Sequence, residues 1–378
     1  MRRGLVLVLT ALALASCGGA PATNTPATNA PTAAAAPAAA EPTAAPAPTT
    51  APEPTAEPTP VPEPTAAPAE PGTSRSAPIP PGSELAFKDW AITISGVTRG
   101  PEAADALIKA NKFNDPAPEG FAYILADVKV TNISTDPKAQ DPSFGVDVRI
   151  TGSRNLLYPR VAAVTPKPLE GDLLPKGSAE GQIAFLAPID EKNLMFRVGE
   201  LLTFDDSGYR YVAIDEGASV SPPGDLPTAT EVGATRESPA KLNEPVATDK
   251  YEVTVLEVLR GDEAAAKVQE ANKFNDPAPD GQAYIAVRVK VRAGADKTPD
   301  SITSIDSNWF KVSGEKNVVY DRPSVVAPAP ALDASLYAGG EAEGWVVVSA
   351  PPDEKGLVLN IEPLFSFSES NARYVSLG

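Results

Sequence analysis

The run ANKFNDPAP stands at Ala110–Pro118 and again at Ala271–Pro279, 161 positions later. Nine identical residues at one fixed separation mark an internal repeat, so whatever fold the chain adopts it must adopt twice. The match widens on both sides. VTRGPEAADALIKANKFNDPAPEGFAYI from Val97 aligns without a gap to VLRGDEAAAKVQEANKFNDPAPDGQAYI from Val258. Weaker pairs follow in the same order: GSAEG at Gly177 with GEAEG at Gly340, PIDEKNL at Pro188 with PPDEKGL at Pro351, and RYV at Arg210 with RYV at Arg373. The repeats are expected to span residues 84–215 and 243–378, with residues 216–242 as a linker. Each has an ordinary domain size.

Within each repeat the hydrophobic period is two. Ile124, Ala126, Val128 and Val130 alternate with Leu125, Asp127, Lys129 and Thr131. Ile285, Val287, Val289 and Val291 alternate with Ala286, Arg288, Lys290 and Arg292. One apolar and one wet face is the pattern of an antiparallel sheet covered on one side. Trp90, Ile92 and Ile94 alternate likewise, as do Tyr251, Val253 and Val255. Val146–Ile150, Gln182–Leu186, Leu194–Val198 and Tyr209–Ile214 supply further strands. About seven strands per repeat, separated by Gly, Pro and Asp turns, predict an all-β chain of two tandem β-sandwiches. One short helix interrupts each: Ala103, Leu107 and Ala110, and again Ala264, Val268 and Ala271, fall on a single narrow stripe.

The stretch ahead of the repeats has a different composition. Residues 18–83 hold 18 prolines among Ala and Thr, and no aromatic residue. Such a segment buries too little apolar surface to offset its chain entropy and reads as a disordered tether. At about 3.1 Å per residue in polyproline II its reach is on the order of 200 Å. Residues 1–17, MRRGLVLVLTALALASC, place Arg2 and Arg3 before an apolar run that is short for a membrane span. They end in Leu14-Ala15-Ser16-Cys17, which resembles a bacterial lipobox and implies cleavage before Cys17 and acylation of its sulfur. An ordinary signal peptide with an incidental cysteine is the other reading. A lipidated Cys17 makes the membrane the first partner and predicts an extracytoplasmic location, anchored to the bacterial cell membrane or surface.

Charge and composition remove several chemistries. The formal charge of −17 disfavours nucleic acid and anionic lipid as primary partners. There is no histidine, hence no Ser-His-Asp triad and no imidazole ligand. The single cysteine excludes an internal disulfide. No phosphate-binding glycine loop, dinucleotide fingerprint or nucleophile elbow occurs.

The repeated nonapeptide admits two readings. In the structural one, Asn111 and Asn272 end the helix in a left-handed cap, and Asp115 and Asp276 precede a helix-stopping proline. Asn114 and Asn275 fold into Asx turns, Phe113 and Phe274 bury their rings to pin the loop, and Gly120 and Gly281 turn the chain into the next strand. In the other, Asn114, Asp115 and Glu119, with Asn275, Asp276 and Asp280, form an oxygen-rich ligand or Ca²⁺ loop, although no EF-hand spacing is present. Asp190 and Asp353 in the DEK motifs read as solvated turns, and Asp205 in DDSG as a hairpin turn. Arg210-Tyr211 and Arg373-Tyr374 read as cross-strand packing on the last strand of each repeat. Asn132 heads an Asn-Ile-Ser glycosylation sequon.

The runs Gly100–Tyr123 and Gly261–Tyr284, each followed by an alternating strand, resemble a family of bacterial extracytoplasmic domains of unknown function. These are immunoglobulin-like sandwiches related to a secreted mycobacterial immunogenic antigen, often carried on lipoproteins behind low-complexity tethers. The resemblance covers both repeats and implies no catalytic residue. It departs where VTNIST at Val130 becomes VRAGAD at Val291. The expected function is non-catalytic binding or adhesion at the cell envelope, to a protein or glycan. A passive or Ca²⁺-stiffened spacer is the alternative, and a carboxylate-based hydrolase the remotest one.

Overall fold

The computed structural model describes residues 71–201, 208–296, 298–363 and 372–378. The expected signal peptide, Cys17, the tether up to residue 70, and Asp205 lie outside the described residues. Strands dominate. The first half runs β1 (Glu84–Ala86), β2 (Trp90–Arg99), α1 (Pro101–Ala110), β3 (Phe121–Asn132), α2 (Pro142–Gly145), β4 (Val146–Thr151), β5 (Leu157–Tyr158), β6 (Ser178–Pro188), β7 (Met195–Glu200) and β8 (Arg210–Ala213). The second runs β9 (Val246–Ala247), β10 (Tyr251–Arg260), α3 (Gly261–Ala271), β11 (Ala283–Ala293), β12 (Thr303–Asp306), β13 (Phe310–Ser313), β14 (Val319–Tyr320), β15 (Asp333–Leu336), β16 (Glu341–Ala350), β17 (Val358–Ile361) and β18 (Arg373–Ser376).

Each half has two facing four-stranded antiparallel sheets, and the second adds a two-stranded one, β12-β15. The first has orders β1-β2-β3-β6 and β5-β4-β7-β8; the second has β9-β10-β11-β16 and β14-β13-β17-β18. Taking β2-β3-β6 as strands A-B-E and β5-β4-β7-β8 as C′-C-F-G gives the immunoglobulin strand order, with α1 inserted between A and B. Even the irregularities recur. A bulge shifts the register at Ile94/Gly96 in the first half and at Val255/Glu257 in the second.

The alternating residues fill separate cores. Trp90, Ile92, Ile94, Val128, Val148, Phe185 and Phe196 are buried in the first. Tyr251, Val253, Val289, Phe310, Val346 and Leu359 are buried in the second. The helix stripes are as narrow as expected: Ala103 and Leu107 pack on Tyr123 and Leu125, and Ala264 and Val268 on Tyr284 and Ala286. The long edge strands are covered by loops. Val161 N–H donates to the Ala184 carbonyl beside β6, and Trp345 of β16 donates to the Pro330 carbonyl. Covering an edge in this way removes a template for pairing with other chains.

Two stretches expected to be tether and linker belong to the sandwiches. Ile79 bridges Val212 in parallel, and Ala240 bridges Val375 in parallel. Gly72 accepts from Tyr211 N–H at 2.7 Å, and Gly233 from Tyr374 N–H at 2.8 Å. Both glycines have positive φ, +80° and +62°. The repeats therefore include Gly72–Ile79 and Gly233–Ala240, upstream of the expected starts at residues 84 and 243. A strand that pairs through a single parallel bridge needs no run of alternating apolar residues, so its sequence looks like linker.

The described residues all lie in the compact unit Ala66–Gly378, in which the two sandwiches meet. Arg75, fully buried, donates from Nε to Asp300 Oδ1 at 2.7 Å and from Nη1 to Asn155 Oδ1 at 2.8 Å. Its guanidinium lies 3.8 Å from the ring centroid of Tyr337. Tyr337 N–H donates to the Asn155 carbonyl at 2.9 Å, and Leu156 bridges Leu336. Around this seam Leu157, Met195, Tyr211, Ala218, Val220 and Tyr337 form a small buried cluster. A Cβ on Gly340 would run into the Asn155 carbonyl, so glycine permits the approach. Burying the Tyr337 side chain alone contributes about 2 kcal/mol. Residues 216–242, expected to be a free linker, are in part fixed here by Ala218 and Val220.

Candidate functional site

The polar residues of the nonapeptide bracket its loop with hydrogen bonds and leave its aromatic residue in water. Asn114 reaches beyond its own turn: its Nδ2 donates to the Leu107 carbonyl in the last turn of α1 and to the Val164 carbonyl, both at 2.8 Å. Its Oδ1 accepts from Val164 N–H at 2.9 Å. Asn275 does the same between Val268 and Val326, with bonds of 2.8, 2.9 and 2.8 Å. One carboxamide thus mimics a strand pair across the gap to a segment some fifty residues away. The Tyr123 hydroxyl donates to the Asp115 carbonyl at 2.8 Å, and that of Tyr284 to the Asp276 carbonyl at 2.6 Å. Burial, then the neighbouring aspartate, raises both phenol pKa values and keeps the hydroxyls protonated as donors.

Three structural expectations for this loop are corrected. Asn111 and Asn272 have extended backbones (φ −152° and −156°), not left-handed ones. Each instead makes the Asx turn, its Oδ1 accepting from Phe113 or Phe274 N–H at 3.0 Å. Asn114 and Asn275, expected in Asx turns, are the long-range brackets. The phenylalanine rings are not buried: Phe113 is 79% exposed and Phe274 93%. The space under the loop is already filled by the asparagine carboxamide and the tyrosine. Lys112 Nζ stands 5.0 Å from the Phe113 ring centroid. Val164 and Val326, clamped by the brackets, are exposed as well.

The structure does not gather the oxygen ligands into one cage. The side-chain oxygens of Asn114 and Asn275 are committed to backbone N–H groups. Asp115, Glu119, Asp276 and Asp280 sit at exposed positions. Among the described residues no group of three or more carboxylate or thiol side chains is arranged to hold a metal.

A second matched feature escaped the sequence reading. Asp190 and Asp353 are exposed and ion-paired to Arg154 at 2.7 Å and Lys316 at 3.0 Å. The next residue, Glu191 or Glu354, is buried. Glu191 accepts from Tyr158 OH at 2.6 Å, Arg154 N–H at 3.0 Å and Ser153 OH at 3.1 Å. Glu354 accepts from Tyr320 OH at 2.7 Å and Lys316 N–H at 2.9 Å. Each ties the β4–β5 or β13–β14 turn to the β6–β7 or β16–β17 loop. The signal was present in the spacing of Gly, Tyr and Glu in both repeats. The Lys316 amide, then the Tyr320 hydroxyl, hold the Glu354 carboxyl below the usual glutamate range. A depressed folded-state pKa contributes stability above the unfolded value that is lost as pH falls through the folded one. Glu354→Gln should therefore flatten the acid limb of stability against pH, read from melting temperatures between neutral pH and the carboxylate range. Superimposable limbs would refute the linkage.

The remaining candidates are structural. Asn132 is buried, donating to the Leu173 carbonyl at 2.8 Å and accepting from Ser134 N–H at 2.9 Å. Tyr211 lies in the seam. Arg373 is buried and donates to the Ala247 carbonyl at 3.0 Å. Its neighbour Tyr374 lines a cleft of about 480 Å³ on the outer face of the second sandwich, with Lys311, Val319 and Asn360. Among the described residues no helix is long and apolar enough to cross a membrane.

Fold and loop together define an all-β protein of paired sandwiches, each presenting a braced aromatic tip. Residues 240–372 match the model of a domain of unknown function, DUF4352. Solved structures with local similarity include YcdA of Bacillus subtilis, a candidate lipoprotein, at 17% identity and a TM-score of 0.28. That match covers 35% of this chain and 38% of YcdA, so the chain spans about two fifths of its length. YjhA of Bacillus subtilis is 13% identical over 36% of this chain and 99% of its own, with a TM-score of 0.25. An uncharacterised β-sandwich protein of Clostridium difficile is 13% identical over 40% of this chain and 100% of its own, with a TM-score of 0.26. No curated protein matches the chain significantly.

Proposed function

We propose that this is an extracytoplasmic protein, acylated at Cys17, that holds two copies of one immunoglobulin-like module away from the membrane. In this reading residues 72–215 are a second copy of the domain matched at residues 240–372. The relation to the secreted mycobacterial antigen belongs to the same reading. The modules bind an envelope or extracellular protein without catalysis, through Phe113 and Phe274.

The observation that carries the proposal is the pairing of a hydrogen-bonded loop with an exposed ring at its tip. Between the copies the outer helix surface has drifted: Asp105, Ala106, Ile108 and Lys109 are matched by Ala266, Lys267, Gln269 and Glu270. The Lys-Phe pair at the tip is identical although neither ring supports the core. An exposed aromatic side chain is of the kind that interfaces bury. Two such tips on one chain gain avidity when both engage. The spacer alternative draws on the buried seam, which makes the pair of sandwiches stiff.

The double variant Phe113→Ala/Phe274→Ala tests this. It should melt within about 0.5 kcal/mol of the parent, as exposed substitutions do, yet lose retention on detergent-solubilised envelope from the producing cells by tenfold or more. Equal retention of both proteins would reject the tips as the binding site and favour the spacer. Cys17→Ser should release the chain from the membrane fraction; continued membrane association would reject the anchor.

A further inference from the structure

The contact between the two sandwiches uses different surfaces on its two sides, and each partner surface has an unfilled counterpart on the other sandwich. On the acceptor side are Asn155, Leu156 and Leu157 with Arg75. On the donor side are Leu336 and Tyr337. Internal hydrogen bonds fix which residues correspond. Asn155 N–H donates to the Gly152 carbonyl as Asn317 N–H donates to that of Gly314. Gly340 N–H donates to the Tyr337 carbonyl as Gly177 N–H donates to that of Leu174. Asn155 and Asn317 share a left-handed backbone, φ 60° and 58°. The second sandwich therefore carries a free acceptor edge at Asn317–Val319, and the first a free donor position at Leu174.

The free surfaces have the chemistry of the filled ones. Leu157 is 6% exposed in the seam, whereas its counterpart Val319 is 53% exposed and Val318 47%. Tyr337 is fully buried; its counterpart Leu174 is 61% exposed. Among the described residues no donor reaches the Asn317 carbonyl and no acceptor the Leu174 N–H, the groups matching the 2.9 Å bond of the seam. Arg236 corresponds to Arg75 and holds the same position: its Nη1 donates to Asn317 Oδ1 at 2.5 Å, and Nε to Ser313 Oγ at 3.0 Å. Among the described residues no carboxylate pairs with it. The donor end of the first sandwich supplies acidic groups, with Asp136, Glu170 and Asp172 at exposed positions.

We infer that chains associate head to tail, the Leu174 loop of one copy seating on the Val319 edge and Tyr374 cleft of the next. An interface that joins unlike surfaces is heterologous: it closes into a ring only where the rotation between copies allows and otherwise extends into an open array. The link between copies is weaker than the seam, which benefits from an effective concentration of order millimolar, and Leu174 covers less surface than a tyrosine. Tethered at one membrane, copies regain part of that advantage.

The test uses the chain from residue 17 onward with Cys17→Ser, which keeps every described residue. Sedimentation velocity across a thousandfold range of concentration should show stepwise growth beyond the dimer. Leu174→Asp and Val319→Asp change exposed side chains, so both should keep the parent melting temperature while weakening association at least tenfold. Mixed in equal amounts, the two variants should form a one-to-one dimer that grows no further, because each retains the surface the other lacks. A chain monomeric at every concentration would overturn the inference. So would variants that associate like the parent, or a mixture that shows no complementation.

Discussion

Glu191→Ala should destabilise the first sandwich by about 3 kcal/mol, the cost of removing a buried charge and leaving its donors unpaired. The Glu191 carboxylate is wholly enclosed and takes hydrogen bonds from Tyr158, Arg154 and Ser153. It lies against Gly152, where a Cβ would stand 2.6 Å from Oε1. Alanine leaves the Tyr158 hydroxyl and the Arg154 amide without a partner, in a space that a second side chain cannot fill. Urea unfolding of Glu191→Ala and Glu191→Gln, compared with the parent, measures the effect. The amide keeps the shape and part of the bonding and should recover roughly half of the loss. A change below about 1 kcal/mol for alanine, the range of ordinary surface substitutions, would show that the turn is held by something else.

Arg75→Ala should uncouple the two sandwiches. Arg75 is held by Asp300 and Asn155 and stacked on Tyr337. Asp300 retains some contact with water, so the loss is smaller than for a fully enclosed pair, about 2–3 kcal/mol. Calorimetry should change from one cooperative transition to two, since the seam is what transmits stability between cores. A double-mutant cycle with Asp300→Ala should give a coupling energy above about 1 kcal/mol. Arg236→Ala, the matching change at a site where no carboxylate is left unpaired, should cost less than Arg75→Ala. Equal effects at the two arginines, or a single unaltered transition in Arg75→Ala, would refute the role assigned to the seam.

How far the sequence anticipates this fold depends on the range of the interactions. The strands that alternate over eight or more residues, such as Ile124–Thr131 and Ile285–Arg292, are legible because burial of one face writes period two directly into the chain. The helices are legible through Leu107 and Val268, which meet their sheets at helical spacing. The parallel bridges at Ile79 and Ala240 are not, since one paired residue leaves no periodic trace. Their only signal is Gly72 and Arg75 recurring as Gly233 and Arg236 at the same 161-residue offset. The site is less legible than the fold. The identity of the two ANKFNDPAP runs marks the loop, but not which residues are bolts and which is exposed.

By itself, then, the sequence determined a duplicated all-β architecture with one helix in each half, because local periodicity and turn chemistry act within a few residues. Only the tertiary structure decided that Asn114 and Asn275 brace their loops against Val164 and Val326, which pushes the phenylalanines out into water. It alone decided that Arg75 closes a seam against Asp300. These contacts join residues from about 50 to 225 positions apart. Side chains so far separated leave no spacing rule in the sequence, and their partners become evident only once the sheets have brought them together.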